Sequence, residues 1–229
     1  MRVAVHQPVF LPWPGFFYKA IRADCLVLLD TVQFPRGFTW LTRNRIKGPD
    51  GEVWLRVPVL RKGRGLQRID EVRCLPESRW RKKHLETFVH CYGKAPFFQE
   101  TFSDLERIYE IPQNRLLDVN LPIIDLLWHG LGVERPYRLL SSLGVTGQGT
   151  ALMASICESL GADRLVAFRL ARPHLDERLL SDRGITVEWF PLPSPVYPQL
   201  WGDFARDLSA IDILFLYGPY ARRILDRAK

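Results

Sequence analysis

A histidine, a glutamine and a lysine stand close together near the start of the chain, where HQPVFLPWPGFF occupies positions 6–17 and Lys19 follows. An imidazole takes or gives a proton near neutrality, and a lysine ammonium is a compact cation for a phosphate or a developing oxyanion. His6 and Lys19, with Gln7 and Trp13 beside them, therefore read as a base and an anion-holding group in one ligand site. The prolines at 8, 12 and 14 lower the entropy lost on ordering the segment, as a rigid wall of such a site requires. The plainer alternative is a histidine that caps a strand while Trp13 fills the core.

Asp30, in LLDTVQF, is a carboxylate at the end of an apolar run. It suits a ribose hydroxyl, a substrate amine or a metal ion, and equally a turn cap. WLTRNRIKGPDG at 40–51 packs Arg43, Asn44, Arg45 and Lys47 between Trp40 and a turn. On a strand the three cations share one face and Asn44 points to the other, and like charges so placed favour a phosphate or carboxylate partner over solvent alone. In WRKKHLETFVHCYGKAPFF, at 80–98, helical spacing puts Trp80, His84 and Phe88 on one side and Lys83, Thr87 and His90 on another. His84 is a second candidate base or a packed core histidine, and Lys94 falls near a helix end, where cations are favourable. Far downstream, SPVYPQLWGDF at 194–204 adds Tyr197 and Gln199 in another proline-constrained loop.

These side chains need elements to hold them. Residues 2–6 read as a strand, GFFYKAIRA as a helix and CLVLLD at 25–30 as a buried strand, a β-α-β order that predicts parallel pairing. His6 then sits at the carboxyl end of its strand, where open parallel sheets bind ligands. Between 38 and 75 the strand-like runs WLTRNRIK, EVWLRVPVL and LQRIDEVRC, separated by Pro/Gly turns, predict an inserted antiparallel hairpin or meander. A helical segment spans 78–132, with Ser78 as N-cap of a first helix that closes near Gly93, and Pro112 opening a third that ends at Gly130–Gly132. RPYRLL, DRLVAF and ITVEWF return as strands alternating with helices, and the tail reads as two short helices split at Gly218–Pro219. The expected fold is α/β: one domain over 1–229 with a mainly parallel, Rossmann-like doubly wound sheet, the β insertion and the helical segment.

With 229 residues, 47% of them hydrophobic, the chain can bury a substantial core. No apolar run reaches membrane-spanning length and the N-terminus lacks a signal-peptide pattern, so no membrane span and a cytoplasmic location are expected. Cys25, Cys74, Cys91 and Cys157 form no C-x-x-C pair, which argues against a zinc or redox motif and for buried free thiols. The formal charge of +7 is uneven: residues 36–83 alone carry +9 and the remainder −2. A local basic zone of this kind points to an anionic partner.

The first strand and loop resemble the layout in which class I nucleotidylyltransferases place H-x-G-H over ATP phosphates, without the second histidine or the glycine. A longer resemblance runs through H-Q-P-x-x-L-P-W-x-G-x-x-x-K (His6 to Lys19), Leu29–Asp30 to Phe34, R-N-R-I-K (Arg43–Lys47), Trp54–Val59, W-R-K-K-H, K-A-P-F-F and P-V-Y-P-Q-L-W-G-D-F. These strings cover nearly the whole chain and resemble the WbqC-like protein family. The resemblance implies a bacterial setting of O-antigen-type or related surface-polysaccharide synthesis and a loose assignment as a transferase. Where relatives carry Y-L-S-G-x-G-A, this chain has a bulkier, more basic stretch at 164–172.

The leading expectation is a cytoplasmic group-transfer enzyme that moves an acyl or aminoacyl group onto an anionic, nucleotide-linked amino sugar. His6 or His84 would act as base, and Lys19, Arg43, Arg45 and Lys47 would hold phosphates or the oxyanion. The alternatives are nucleotidylyl transfer using ATP or CTP with Mg²⁺, for which Asp30 is the first metal-ligand candidate, and a basic nucleic-acid-binding module. No nucleic-acid signature accompanies the basic zone, which ranks that module last.

Overall fold

The computed structural model describes residues 1–76, 79–111, 114–192 and 194–227, so the expected cap at Ser78 and helix start at Pro112 lie outside the described residues. The chain gathers into two compact units. One comprises Met1–Gln7, Gly15–Val32 and Val133–Pro193, the other Pro8–Pro14, Gln33–Gly132 and Ser194–Lys229.

The first unit is a five-stranded, fully parallel sheet. Its strands are β1 (Arg2–His6), β2 (Cys25–Leu28), β5 (Tyr137–Leu139), β6 (Arg164–Phe168) and β7 (Thr186–Phe190), in the spatial order β5-β2-β1-β6-β7. All four residues of β2 are buried, as a strand covered on both faces must be. Helix α1 (Pro14–Arg22) joins β1 to β2, with Phe16, Phe17 and Ala20 buried. Helices α5 (Gly149–Ser159) and α6 (Glu177–Ser181) connect β5 to β6 and β6 to β7. Val3, Val27, Leu152, Ile156, Leu165 and Leu180 belong to the core. Because β1 leads outward to β2 while β6 leads outward to β7, the strand order reverses between β1 and β6. Doubly wound sheets bind ligands at the carboxyl ends of the strands at such a reversal.

The second unit holds a hairpin, β3 (Arg43–Gly48) with β4 (Gly51–Arg56), and the helices α2 (Trp80–Tyr92), α3 (Phe98–Glu110), α4 (Leu116–Gly130), α7 (Ile211–Tyr217) and α8 (Ala221–Asp226). Its apolar interior includes a cluster of aromatic rings, with Phe215 set 4.8 Å from Tyr92 and 5.2 Å from Phe98. The insertion is smaller than the pattern predicts. LQRIDEVRC forms a 3-10 turn at Ile69–Glu71 flanked by isolated bridges, since Gln33 pairs with Arg68 and Val59 with Cys74 in place of a third strand. The tail divides as expected, Gly218 taking φ +47 between α7 and α8.

Candidate functional site

At the β1/β6 reversal the first unit contains a cavity of about 200 Å³, lined by Val5, Lys19, Gly149, Val166, Ala171 and His174 among others. Lys19 reaches it from the buried side of α1. Its Nζ donates to the Val5 carbonyl at 3.1 Å and lies 4.6 Å from the centre of the Phe168 ring. One of three ammonium donors is so engaged, and burial pulls the Lys19 pKa down to about 8. A cation held in a mostly apolar pocket without a carboxylate favours an incoming anion, because the anion lowers the cost of keeping the charge out of water.

Gly149 adds to this preference. It opens α5, whose N-cap residue Gln148 makes no side-chain cap, so the helix start that borders the cavity carries uncapped backbone N–H groups and the positive end of the helix dipole. Gly147 and Gly149 take φ values of +145 and +52, which side-chain-bearing residues avoid. The GVTGQG run at 144–149 is a glycine-rich entry to a helix that is visible in the residues but does not figure among the sequence candidates above.

His6 ends β1. Its Nδ1 lies 2.8 Å from the Gln7 carbonyl, which can only accept, so Nδ1 carries the hydrogen and Nε2 the basic lone pair in the neutral ring. Burial, and secondarily the charge of Lys19, lower the His6 pKa to about 3 against a smaller opposing effect of the Gln7 carbonyl. The charge of Lys19 thus acts on His6, and Gln7 fixes the tautomer. Asp30 sits just past β2 and is buried, and its two oxygens accept from the Ser141 N–H at 2.9 Å and the Ser141 hydroxyl at 2.5 Å. It ties the exit of β2 to the turn after β5. Among the described residues no group of three or more His, Cys, Asp or Glu side chains gathers as a metal site would require.

The remaining candidates belong to the second unit and do not form one cluster. Asn44 donates to the Phe10 and Leu11 carbonyls at 3.4 and 2.6 Å, and its Oδ1 accepts the Arg45 N–H. Asn120 likewise holds the Pro8 and Leu41 carbonyls at 2.8 and 2.9 Å. Within this unit the 8–14 segment is thereby fixed by buried amides as well as prolines, and Trp13 in it is half-buried. Of the three cations on β3, two have protein partners: Arg45 chelates Glu52 at 2.9 and 3.0 Å, and buried Lys47 donates to the Asp203 carbonyl. Arg43 instead lies over the Phe38 ring, 4.1 Å from its centre.

His84 is a packed histidine. Its Nδ1 is 3.0 Å from the Tyr109 hydroxyl, its Nε2 meets the Arg56 backbone at 3.2 Å, and its ring lies 5.8 Å from Phe10. Burial lowers its pKa to about 4. Lys83 is exposed on α2, and Lys94 is exposed with its Nζ 5.8 Å from the Trp201 ring. Gln199 clamps its own loop through both amide atoms on Ala205, each at 2.9 Å.

Tyr197 is buried in a cluster that the sequence reading missed. Tyr92 donates to Asp212 at 2.6 Å while accepting the Lys47 N–H at 2.8 Å, and the Asp212 pKa is raised to about 6 by burial against the hydrogen bonds of Tyr92 and Tyr197 and the charge of Lys47. The available signal was a carboxylate inside the apolar run AIDILFL.

These shifts set the acid response. A histidine held neutral binds protons only after unfolding, so stability falls by up to about 1.4 kcal/mol per pH unit below 6.5 for each depressed ring. In the second unit the raised Asp212 acts oppositely, gaining stability as pH falls from about 6 toward 4, and largely offsets His84. The first unit has no such offset for His6. Chemical denaturation should therefore show roughly 2 kcal/mol lost between pH 6.5 and 5, and His6→Asn, which keeps a donor for the Gln7 carbonyl, should flatten that slope. An unchanged slope in His6→Asn would contradict the assignment.

No helix among the described residues is long and apolar enough to cross a membrane. The model of the WbqC-like protein family matches residues 7–224. The chain is similar to the uncharacterized protein Rv1507c of Mycobacterium tuberculosis, 31% identical over 222 residues that cover 96% of this chain and 95% of the relative. No solved structure matches significantly. The chain belongs to the WbqC-like protein family.

Proposed function

We propose that this protein is a cytoplasmic group-transfer enzyme of surface-polysaccharide or related small-molecule synthesis, acting on an anionic substrate at the β1/β6 edge of the first unit. The substrate class is a nucleotide-linked amino sugar that accepts an acyl or aminoacyl group. The observation that carries this reading is the Lys19 ammonium, buried at the sheet reversal, ion-paired with no carboxylate among the described residues and lining the cavity that the start of α5 also borders. Four buried free thiols accord with a reducing compartment.

The chemistry follows from the pair. An anion on Lys19 cancels the charge that helps to depress His6, so substrate binding raises the basicity of Nε2 at the moment a base is needed. The acceptor amine bonds to the acyl carbon and gives its proton to Nε2, while Lys19 stabilises the carbonyl oxygen's developing charge. The donor's leaving group departs with the electron pair of its bond to the acyl carbon. Nucleotidylyl transfer is less well supported because both Asp30 oxygens are already engaged by Ser141.

Calorimetric titration with a UDP-linked 2-amino sugar tests the reading. A binding component present in the wild type should disappear in Lys19→Met and persist in His6→Asn, whose defect should lie in turnover. Superimposable titrations of wild type and Lys19→Met would overturn it.

A further inference from the structure

The hairpin of the second unit and the segment leading into it present three aromatic rings to solvent: Phe38, Trp40 and Trp54 are 52%, 36% and 47% exposed. They are organised, with the two indoles near parallel at 22° and 5.8 Å apart and Phe38 standing edge-on to both. Exposing this much ring surface in one place is unfavourable for a face that meets only water.

The charges around the rings make the same point independently. Arg43 and Arg56 are direct cross-strand partners in the antiparallel ladder, where like charges destabilise the pairing. Arg61 joins them: its pKa is lowered by burial and then by the charges of Arg56 and Arg43. Among the described residues no carboxylate is ion-paired with any of these three arginines, and the Arg43 Nε is buried without a hydrogen-bond partner. Beside Phe38, a cavity of about 210 Å³ opens between residues 34–37 and 61–67 and is lined by Arg36 and Arg61. Arg61 is held there by the Pro35 carbonyl at 3.3 Å and lies over the Phe34 ring.

We propose that this face of the second unit is a nucleoside-diphosphate site, with the base stacked on Trp40 and Trp54 and the diphosphate held by Arg43, Arg56 and Arg61. Indoles stack any base through its π-face, and guanidinium groups pair with phosphate oxygens in a fork. The neighbouring cavity has room for a phosphate group or two, whereas a nucleic-acid strand would need a groove that continues. The site is built from residues of the second unit, shares no lining residue with the Lys19 cavity, and does not rest on the function proposed above.

Calorimetry on Lys19→Met, which removes the other anion site, isolates it. UDP should bind saturably, and Arg43→Gln/Arg56→Gln should weaken it by about tenfold or more, as loss of charge-assisted hydrogen bonds does. Trp54→Ala should weaken it by roughly tenfold through lost stacking. Arg56 and Trp54 are exposed and Arg43 is half-buried, and unchanged circular dichroism would show that the variants fold. A comparison independent of any further substitution is UDP against pyrophosphate, which should bind more weakly because it lacks the ring. No saturable UDP binding, equal affinity for pyrophosphate, or an Arg43→Gln/Arg56→Gln protein that binds normally would overturn the proposal. Tighter binding of dodecathymidylate with a steep salt dependence would overturn it in favour of a single-stranded nucleic-acid surface.

Discussion

Lys19→Met is expected to make the unliganded protein more stable while removing its switch-point anion binding. Burial lowers the lysine from 10.5 to about 8, so at neutral pH the folded state holds a charge that the unfolded state would hold more cheaply in water. Allowing for the lost hydrogen bond to the Val5 carbonyl, the relief should be about 2 kcal/mol, or roughly 4–8 °C in melting temperature. The pH dependence gives the sign. Below pH 8 both states carry the proton and the cost is constant. Between about 8 and 10.5 the folded lysine releases its proton first, wild-type stability rises, and the advantage of Lys19→Met shrinks away. A variant that melts lower at pH 7, or one whose difference from wild type is constant to pH 10.5, would show that Lys19 is a structural cation.

Asn44→Ala should have the opposite effect. The Asn44 amide holds two carbonyls of the 8–14 segment, one belonging to Leu11, whose φ of +45 is a left-handed conformation costly for a residue with a side chain. Removing it leaves buried carbonyls and the Arg45 N–H without their partner, for a loss of roughly 3 kcal/mol, on the order of 10 °C. Asn44→Asp, which keeps the acceptor and loses the donors, should recover only a small part. A drop of less than about 1 kcal/mol in Asn44→Ala would mean that the prolines alone hold the segment.

The contrast between Asn44 and Lys19 shows which features a sequence makes legible. Parallel strands were readable because apolar runs such as CLVL repeat between helical segments, and the place of His6 at the carboxyl end of β1 was readable from the same order. That His6 and Lys19 fall on one β-α unit was equally readable, and the structure adds that the charge of Lys19 acts on His6. Asn44 looked like a ligand contact because it stood among cations, yet its partners lie 33 and 34 positions earlier, a relation that no local pattern encodes. For Arg45 the favoured phosphate or carboxylate partner is Glu52 on the facing strand, and for Lys47 a backbone carbonyl, that of Asp203, stands where an anion was expected. The third cation, Arg43, is the one for which that reasoning still holds. The LQRIDEVRC stretch has strand-forming residues but no partner strand, so a bridge and a 3-10 turn take their place.

The account stands on Lys19 as a buried cation awaiting an anion, and its titration can be read directly by NMR of lysine labelled at the ε-carbon, with Lys19→Met assigning the resonance. Without ligand, Lys19 should titrate near 8, and with saturating pyrophosphate it should move up toward the ordinary 10.5, because a bound anion stabilises the ammonium. A Lys19 that titrates near 10.5 in the unliganded protein, or one that stays near 8 when pyrophosphate is saturating, would contradict the account.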